Sequence, residues 1–327
     1  MSWERTMRTM VAPKIGVGVG ELYYVVAARA STNAYYSLLK ARGVRDSKIF
    51  ILPSDAYAAT TASRNDVVLV YPGTYTETAK ITWANSSTHM LGVGSVNQRI
   101  PADAGTTGNV FIISTVEDTT LLSVTGHHCQ FMDFSIWLNA AAAVADIAVQ
   151  GRNTYLYNIF MKSSKNATAI ASAVLGYGLH ADGSAAGYCN GLTVEKCHIG
   201  DPRNTVRTAG GMIYMTGSGN AAMCYEFKDC VIAGWSATNA CSAVFQTGNW
   251  ALDRQCIWQD CTFYNFQTNL GTILTGDVFA DTCGTTHMNL LTGRTAQYGW
   301  DAWGGSTYTF GAMPIASVTG GTALDLT

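Results

Sequence analysis

The 22 acidic residues of this 327-residue chain are scattered, and only Glu117 and Asp118 are adjacent. One pair of acids is set apart by equivalence of position. Asp229 sits in Tyr225-Glu226-Phe227-Lys228-Asp229-Cys230-Val231-Ile232, and Asp260 sits at the same place in Cys256-Ile257-Trp258-Gln259-Asp260-Cys261-Thr262-Phe263. Held side by side on neighbouring repeats, two carboxylates raise one another's proton affinity and can work as a general acid and base. Asn158 and Lys196 hold the same place in other copies without any acid chemistry, so the plainer expectation is that each residue hydrogen-bonds its own turn. His127, His128, His180 and His198 have no partner motif and read as surface or turn residues. Arg203 and Arg207 flank an insert, where they can meet an anionic sugar or simply be solvated. Asn85-Ser86-Ser87 and Asn166-Ala167-Thr168 are glycosylation sequons by letter only.

The nine cysteines form no CxxC pair, and their spacing to histidine fits no zinc pattern. Their odd number argues against a disulfide framework. Cys197, Cys230 and Cys261 share one repeat position with Phe134 and Ile159, as an inward ladder of small hydrophobes would. A metal or redox ladder is the alternative. No metal or cofactor is expected.

These residues are positioned by a motif that returns five times. Its other copies are Cys129 to Ile136, Thr154 to Met161 and Leu192 to Ile199. Each has two buried-type residues at period two, two bend residues, then two more at period two. One strand cannot do this, because its side chains alternate strictly, but two short strands joined by a bend can. The second bend residues are Asp133, Asn158, Lys196, Asp229 and Asp260, separated by 25, 38, 33 and 31 positions. Such a period indicates a solenoid, and the absence of helical periodicity makes it a β-solenoid. Inserts at 176–191, 201–211 and 235–241 account for the longer coils.

Composition agrees. Charged residues make up 13% of the chain and the net charge is −2, with no basic cluster to hold phosphates, so a nucleic-acid partner is not expected. No apolar run approaches the ~18 residues of a membrane span, and residues 1–8 lead into no secretory core, so synthesis and folding in cytoplasm are expected. Residues 1–22 read as an N-terminal arm, 23–290 as the solenoid and 291–327 as a Gly/aromatic tail. Within the solenoid, 22–28 reads as a first strand. The stretch 31–43 reads as a short helix, capped by Ser31 or Thr32, that covers the open end. Residues 54–62 read as a short helix or turn, and Thr74-Tyr75-Thr76 as an exposed edge.

The run Asp66-Val67-Val68-Leu69-Val70-Tyr71-Pro72-Gly73-Thr74-Tyr75-Thr76-Glu77, followed by Ile81-Thr82-Trp83 and Met90-Leu91-Gly92-Val93-Gly94, resembles the opening coils of pectate-lyase-like right-handed parallel β-helix proteins. The likeness covers roughly residues 45–95 by motif and runs to about 290 by repeat. It implies an all-β, right-handed parallel β-helix with a short N-terminal capping helix. Enzymes of this fold mostly cut acidic or bacterial surface polysaccharides. The polygalacturonase motifs are absent here, Gly126-His127-His128 matching Gly-His-Gly only superficially, and neither the calcium cluster of pectate lyases nor the pectin methylesterase set is visible.

The chain also resembles virion proteins of tailed bacteriophages, in which such helices commonly form trimers. The expectation is a non-enzymatic capsid decoration protein: a homotrimer on the head surface, bound to the major capsid protein through the arm or the tail. Flat faces of Thr and Tyr suit that packing. The alternative is a tailspike-type protein that binds or depolymerises host surface glycans, with Asp229 and Asp260 as its candidate acids. A cellular carbohydrate enzyme of the same fold is a third reading.

Overall fold

The computed structural model describes residues 3–15, 18–94, 109–115, 119–172, 175–183, 189–200, 207–217, 224–234, 241–247, 255–265, 274–281, 288–298, 300–302 and 308–310. Among these, the strands form three parallel sheets of eleven, eight and seven strands and one two-stranded pair. Each coil visits the sheets in turn: Thr88–Gly92 lies in the first, Val110–Ser114 in the second and Thr120–Val124 in the third, and Gln130–Met132 then returns to the first. The result is a right-handed parallel β-helix: the repeat implied a β-solenoid, and the family resemblance implied this form of it. Strands Met288–Thr292, Ala296–Tyr298 and Tyr308–Phe310 carry the first and second sheets past residue 290, into the stretch read as tail.

The bend between the first and second sheets is where the five-copy motif acts. Asp133, Asn158, Lys196, Asp229 and Asp260 all have positive φ, between 50° and 61°. Asn and Asp tolerate this left-handed region better than other non-glycine residues. Lys196 is the costlier member, and its ammonium lies 5.4 Å from the Tyr157 ring centroid and 3.7 Å from Glu195. The left-handed turn keeps each bend amide in the intercoil ladder. Asp133 donates to the Tyr157 carbonyl (3.1 Å), Asn158 to Glu195 (2.9 Å), Lys196 to Lys228 (2.9 Å), Asp229 to Gln259 (2.9 Å) and Asp260 to Thr292 (3.2 Å).

The residues at period two on either side of the bend fill the interior: Phe131, Phe134 and Ile136 in one coil, and Trp258, Cys261 and Phe263 in another. Rings stack coil on coil there, with Phe227 and Trp258 centroids 4.2 Å apart and nearly parallel. Cys197, Cys230 and Cys261 are buried in this column, and each thiol donates to the carbonyl two residues before it. Thr295 continues the column with a hydroxyl bonded to the Trp258 and Thr292 carbonyls. Burial pushes the Cys197 and Cys261 thiols well up, away from the reactive thiolate form.

Three helices dress the N-terminal coils. α1 (Trp3–Ile15) occupies most of the stretch read as an arm, and its Met7 and Val11 are buried in one apolar cluster with Leu22, Tyr24, Leu69, Leu91 and Met132 from the outer face of the first sheet. α2 (Ala34–Ala41) is the helix expected over 31–43, but Asn33 caps it, accepting from Tyr35 and Tyr36 N–H, and not Ser31 or Thr32. Its Leu39 joins the same outer cluster. The interior is plugged instead by α3 (Pro53–Ala58), whose Ala56 enters the core and whose Tyr57 ring packs 4.3 Å from Trp83. Tyr75, read as exposed, is buried and donates to the Tyr71 carbonyl.

Buried ionisable side chains lock these pieces through hydrogen bonds. Asp66 accepts from Glu21 N–H (2.8 Å), Thr61 N–H (2.8 Å) and both Arg64 Nε (2.7 Å) and Nη2 (2.6 Å). Burial pushes its carboxyl up, but Arg64 and the two amides outweigh this and hold it below the usual carboxylate range. Glu77 ties the start of α3 by accepting from Ser54 N–H and Oγ. Asp146 joins two coils, accepting from Leu138 and Ser163 N–H at 2.7 Å each, and burial pushes it up to about 8. Asp66→Ala leaves two backbone donors without their acceptor and lowers stability by about 1–3 kcal/mol, read in a urea melt at pH 7. Because the folded carboxyl titrates low, that advantage is complete above the unfolded pKa and fades as the pH falls through the depressed one.

Candidate functional site

The third sheet presents the most chemically varied outer face. Ile147, Leu179, Ile213 and Val244 point into the core, so Ala148, His180, Tyr214 and Phe245, each one residue later and in register, point out. Two residues further on, Gln150, Asp182, Thr216 and Thr247 form a second outward row. The connections flanking these strands are the Gly/Ser/Ala/Asn-rich inserts, of which 184–188, 201–206, 218–223 and 235–240 lie outside the described residues.

The two rows form one network. Gln150 Nε2 donates to Asp182 Oδ2 at 2.7 Å, and Thr216 Oγ1 donates to Asp182 Oδ1 at 3.1 Å. His180 Nε2 lies 2.8 Å from the same Thr216 oxygen. With the hydroxyl proton directed to Asp182, the imidazole must carry its proton on Nε2 and donate it. The ring of Tyr214 stacks on His180 (4.8 Å, 25°) and on Tyr177 (4.8 Å, 13°), and Phe245 follows at 6.1 Å. Thr247 donates to the Tyr214 hydroxyl at 3.1 Å. Burial lowers His180 to about 4, against the opposing pull of Asp182, so the imidazole is neutral at pH 7. Aromatic faces beside a carboxylate, an amide and hydroxyls suit a polar ring-shaped ligand, and the chain from His180 through Thr216 to Asp182 can pass a proton.

Sequence reasoning missed most of this. His180 was expected at a surface or turn, and it lies partly exposed on the outward face of strand Tyr177–Gly183. The available signal was the pair His180-x-Asp182 matched 34 residues later by Tyr214-x-Thr216, one coil on. His198, also read as a surface or turn residue, is instead buried, edge-on to Phe160 at 5.0 Å. His127 and His128 do lie at a turn: Arg152 N–H donates to His127 Nδ1, and His128 has φ 58°. Arg207, expected to be solvated or to hold an anion, is buried and donates to the Gly176 and Leu175 carbonyls at 2.6 and 2.9 Å. Arg203 lies outside the described residues. Asp229 and Asp260 are placed one coil apart on the first bend, with Asp229 exposed and Asp260 Oδ1 accepting from Arg294 N–H at 2.7 Å. Neither belongs to the His180 network. Among the described residues no three His, Cys, Asp or Glu side chains gather where they could hold a metal ion, and no helix is long and apolar enough to cross a membrane.

Among solved structures the pectate lyase Pel9A matches with a TM-score of 0.53 at 14% sequence identity, over 86% of this chain and 64% of the lyase. The fold is the pectate-lyase-like parallel β-helix. A pectin methylesterase solved with a hexasaccharide matches at 0.49 and 11% identity, over 89% of this chain and 93% of the esterase. The ORF18 protein of Geobacillus virus E2 matches at 0.36 and 13% identity, over 76% and 57%. The chain thus spans less than two thirds of the pectate lyase, and at these identities the likenesses show the fold alone. No protein-family model and no curated protein matches the sequence.

A neutral, partly buried His180 is directly measurable. Imidazole NMR should show it uncharged down to about pH 5 as the Nε2–H tautomer. A midpoint at or above the ordinary value of about 6.5 would show that burial does not outweigh the pull of Asp182.

Proposed function

We propose that this chain is a non-enzymatic structural protein of a tailed-bacteriophage virion, a capsid decoration protein that assembles as β-helix trimers on the head. The observation that supports a structural role is how buried ionisable side chains are used. Enzyme clefts gather perturbed titratable groups around a reacting position. Here Asp66, Glu77, Asp146 and Arg207 each hold backbone groups of separate segments together. Asp260, one of the two acids with repeat spacing, is engaged by the backbone of the next coil. What results is a rod stiffened without disulfides, its eight described cysteines all free. The virion assignment draws on the sequence resemblance to phage β-helix proteins. The capsid would be met through α1, where Met10 is 63% exposed, or through the tail. Immunogold labelling of intact particles tests the reading. Label over the head supports it; label at the tail tip, or none, refutes it.

The third-sheet face favours a second reading, a tailspike-type protein that binds host glycans. Its aromatic row and Asp182 network have the makings of a sugar platform. On that reading, Tyr214→Ala lowers adsorption to host surface polysaccharide at least tenfold in a pull-down. Adsorption that is absent in the wild type, or unchanged in the variant, removes the reading.

A further inference from the structure

A second site stands on a different face. A cleft of about 370 Å³ opens on the outer side of the first sheet, at its bend, and is lined by Met132, Asp133, Tyr155, Tyr157 and Asn158. That volume falls in the range of small-molecule sites. The cleft adjoins the outer apolar cluster: Leu91 and Met132 are buried in that cluster, and Tyr155 and Tyr157 pack against it while staying partly open.

The lining is specific. Asn158 Nδ2 donates to Asp133 Oδ1 at 2.7 Å, so an amide and a carboxylate stand side by side on adjacent coils. Both residues have left-handed backbones, which set where their side chains leave the chain. Tyr155 and Tyr157 rings lie 6.0 Å apart at 32°. Tyr155 is anchored through its hydroxyl to Glu195 Oε2 at 2.8 Å, and Tyr157 is backed by the Lys196 ammonium. Two braced aromatic rings offer the face on which the C–H side of a pyranose packs. A neighbouring donor and acceptor suit vicinal hydroxyls, which both give and take hydrogen bonds. Asp133 and Glu195 bring two carboxylates against the one Lys196 ammonium, which lies 3.7 Å from Glu195, and this balance disfavours a carboxylated sugar.

We infer that this cleft is a binding site for a neutral pyranose, such as a hexose or an N-acetylhexosamine, separate from the third-sheet face. It stands on its own lining and does not depend on where the protein sits in a particle.

Saturation-transfer difference NMR on the full chain tests the inference, with methyl glucoside, N-acetylglucosamine and galacturonate as probes. A neutral sugar should give signal at millimolar concentration, and galacturonate should bind at least tenfold more weakly. Tyr155→Ala should abolish the signal. Asn158→Asp, which keeps a residue suited to the left-handed bend, should lower it at least tenfold by facing two carboxylates. The exchanged pair Asp133→Asn with Asn158→Asp restores one donor and one acceptor and should recover binding. Tyr214→Ala, on the third sheet, should leave the signal unchanged, which separates this site from the glycan reading above. Absence of signal from every neutral probe, preference for galacturonate, or binding indifferent to Tyr155→Ala and Asn158→Asp in folded protein overturns the inference.

Discussion

Everything in this molecule hangs on a bend that turns the chain without breaking its hydrogen-bond ladder. A corner in a parallel stack normally leaves amides and carbonyls unpaired, and each buried orphan is expensive. The left-handed residue between the first and second sheets avoids this: its N–H still reaches the carbonyl of the next coil, five times in succession. The strain of positive φ at a non-glycine residue is accepted because the alternative is an unpaired group repeated at every coil. Once the corner is set, the alternation of side chains on either flank follows, and so does the column of Phe, Ile, Cys and Thr behind it.

The remaining corners are held differently. Where the second sheet passes into the third, Asp146 gathers amides from two coils. At the N-terminal end Asp66 and Glu77 knit the first strand, α3 and the first complete coil. These groups lie in a low-dielectric interior, where a satisfied polar group is strong and an unsatisfied one is costly. α1 then lies over the apolar outer stripe of the first coils, which would otherwise meet water. The outer cluster reaches Met132, and polar, ring-bearing chemistry adjoins it there.

The two outer faces with chemical character arise from the same geometry. Parallel, in-register stacking places equivalent residues of successive coils one strand spacing apart, about 4.8 Å. Residues 25 to 36 positions apart in sequence therefore become hydrogen-bonding neighbours, as Asn158 with Asp133 and His180 with Thr216. The ring row forms for the same reason, since the register partners His180, Tyr214 and Phe245 come from three consecutive coils.

The solenoid was legible in the residues because its bend demands a local departure from period two, and that departure recurs with Asx residues at Asp133, Asn158, Asp229 and Asp260. The inward cysteines were legible for the same reason: their parity places them. What stayed hidden was everything decided between coils. That α1 folds back on the first sheet, that α3 rather than α2 plugs the core, and that Arg207 is buried all depend on surfaces assembled from distant segments. The network of Gln150, His180, Asp182 and Thr216 depends on register across two strand pairings, and inserts of unequal length obscure that register along the chain. Local pattern specifies which face a side chain takes, because alternation is a property of one strand. Which side chains meet is a property of the stack, and only the folded chain contains it.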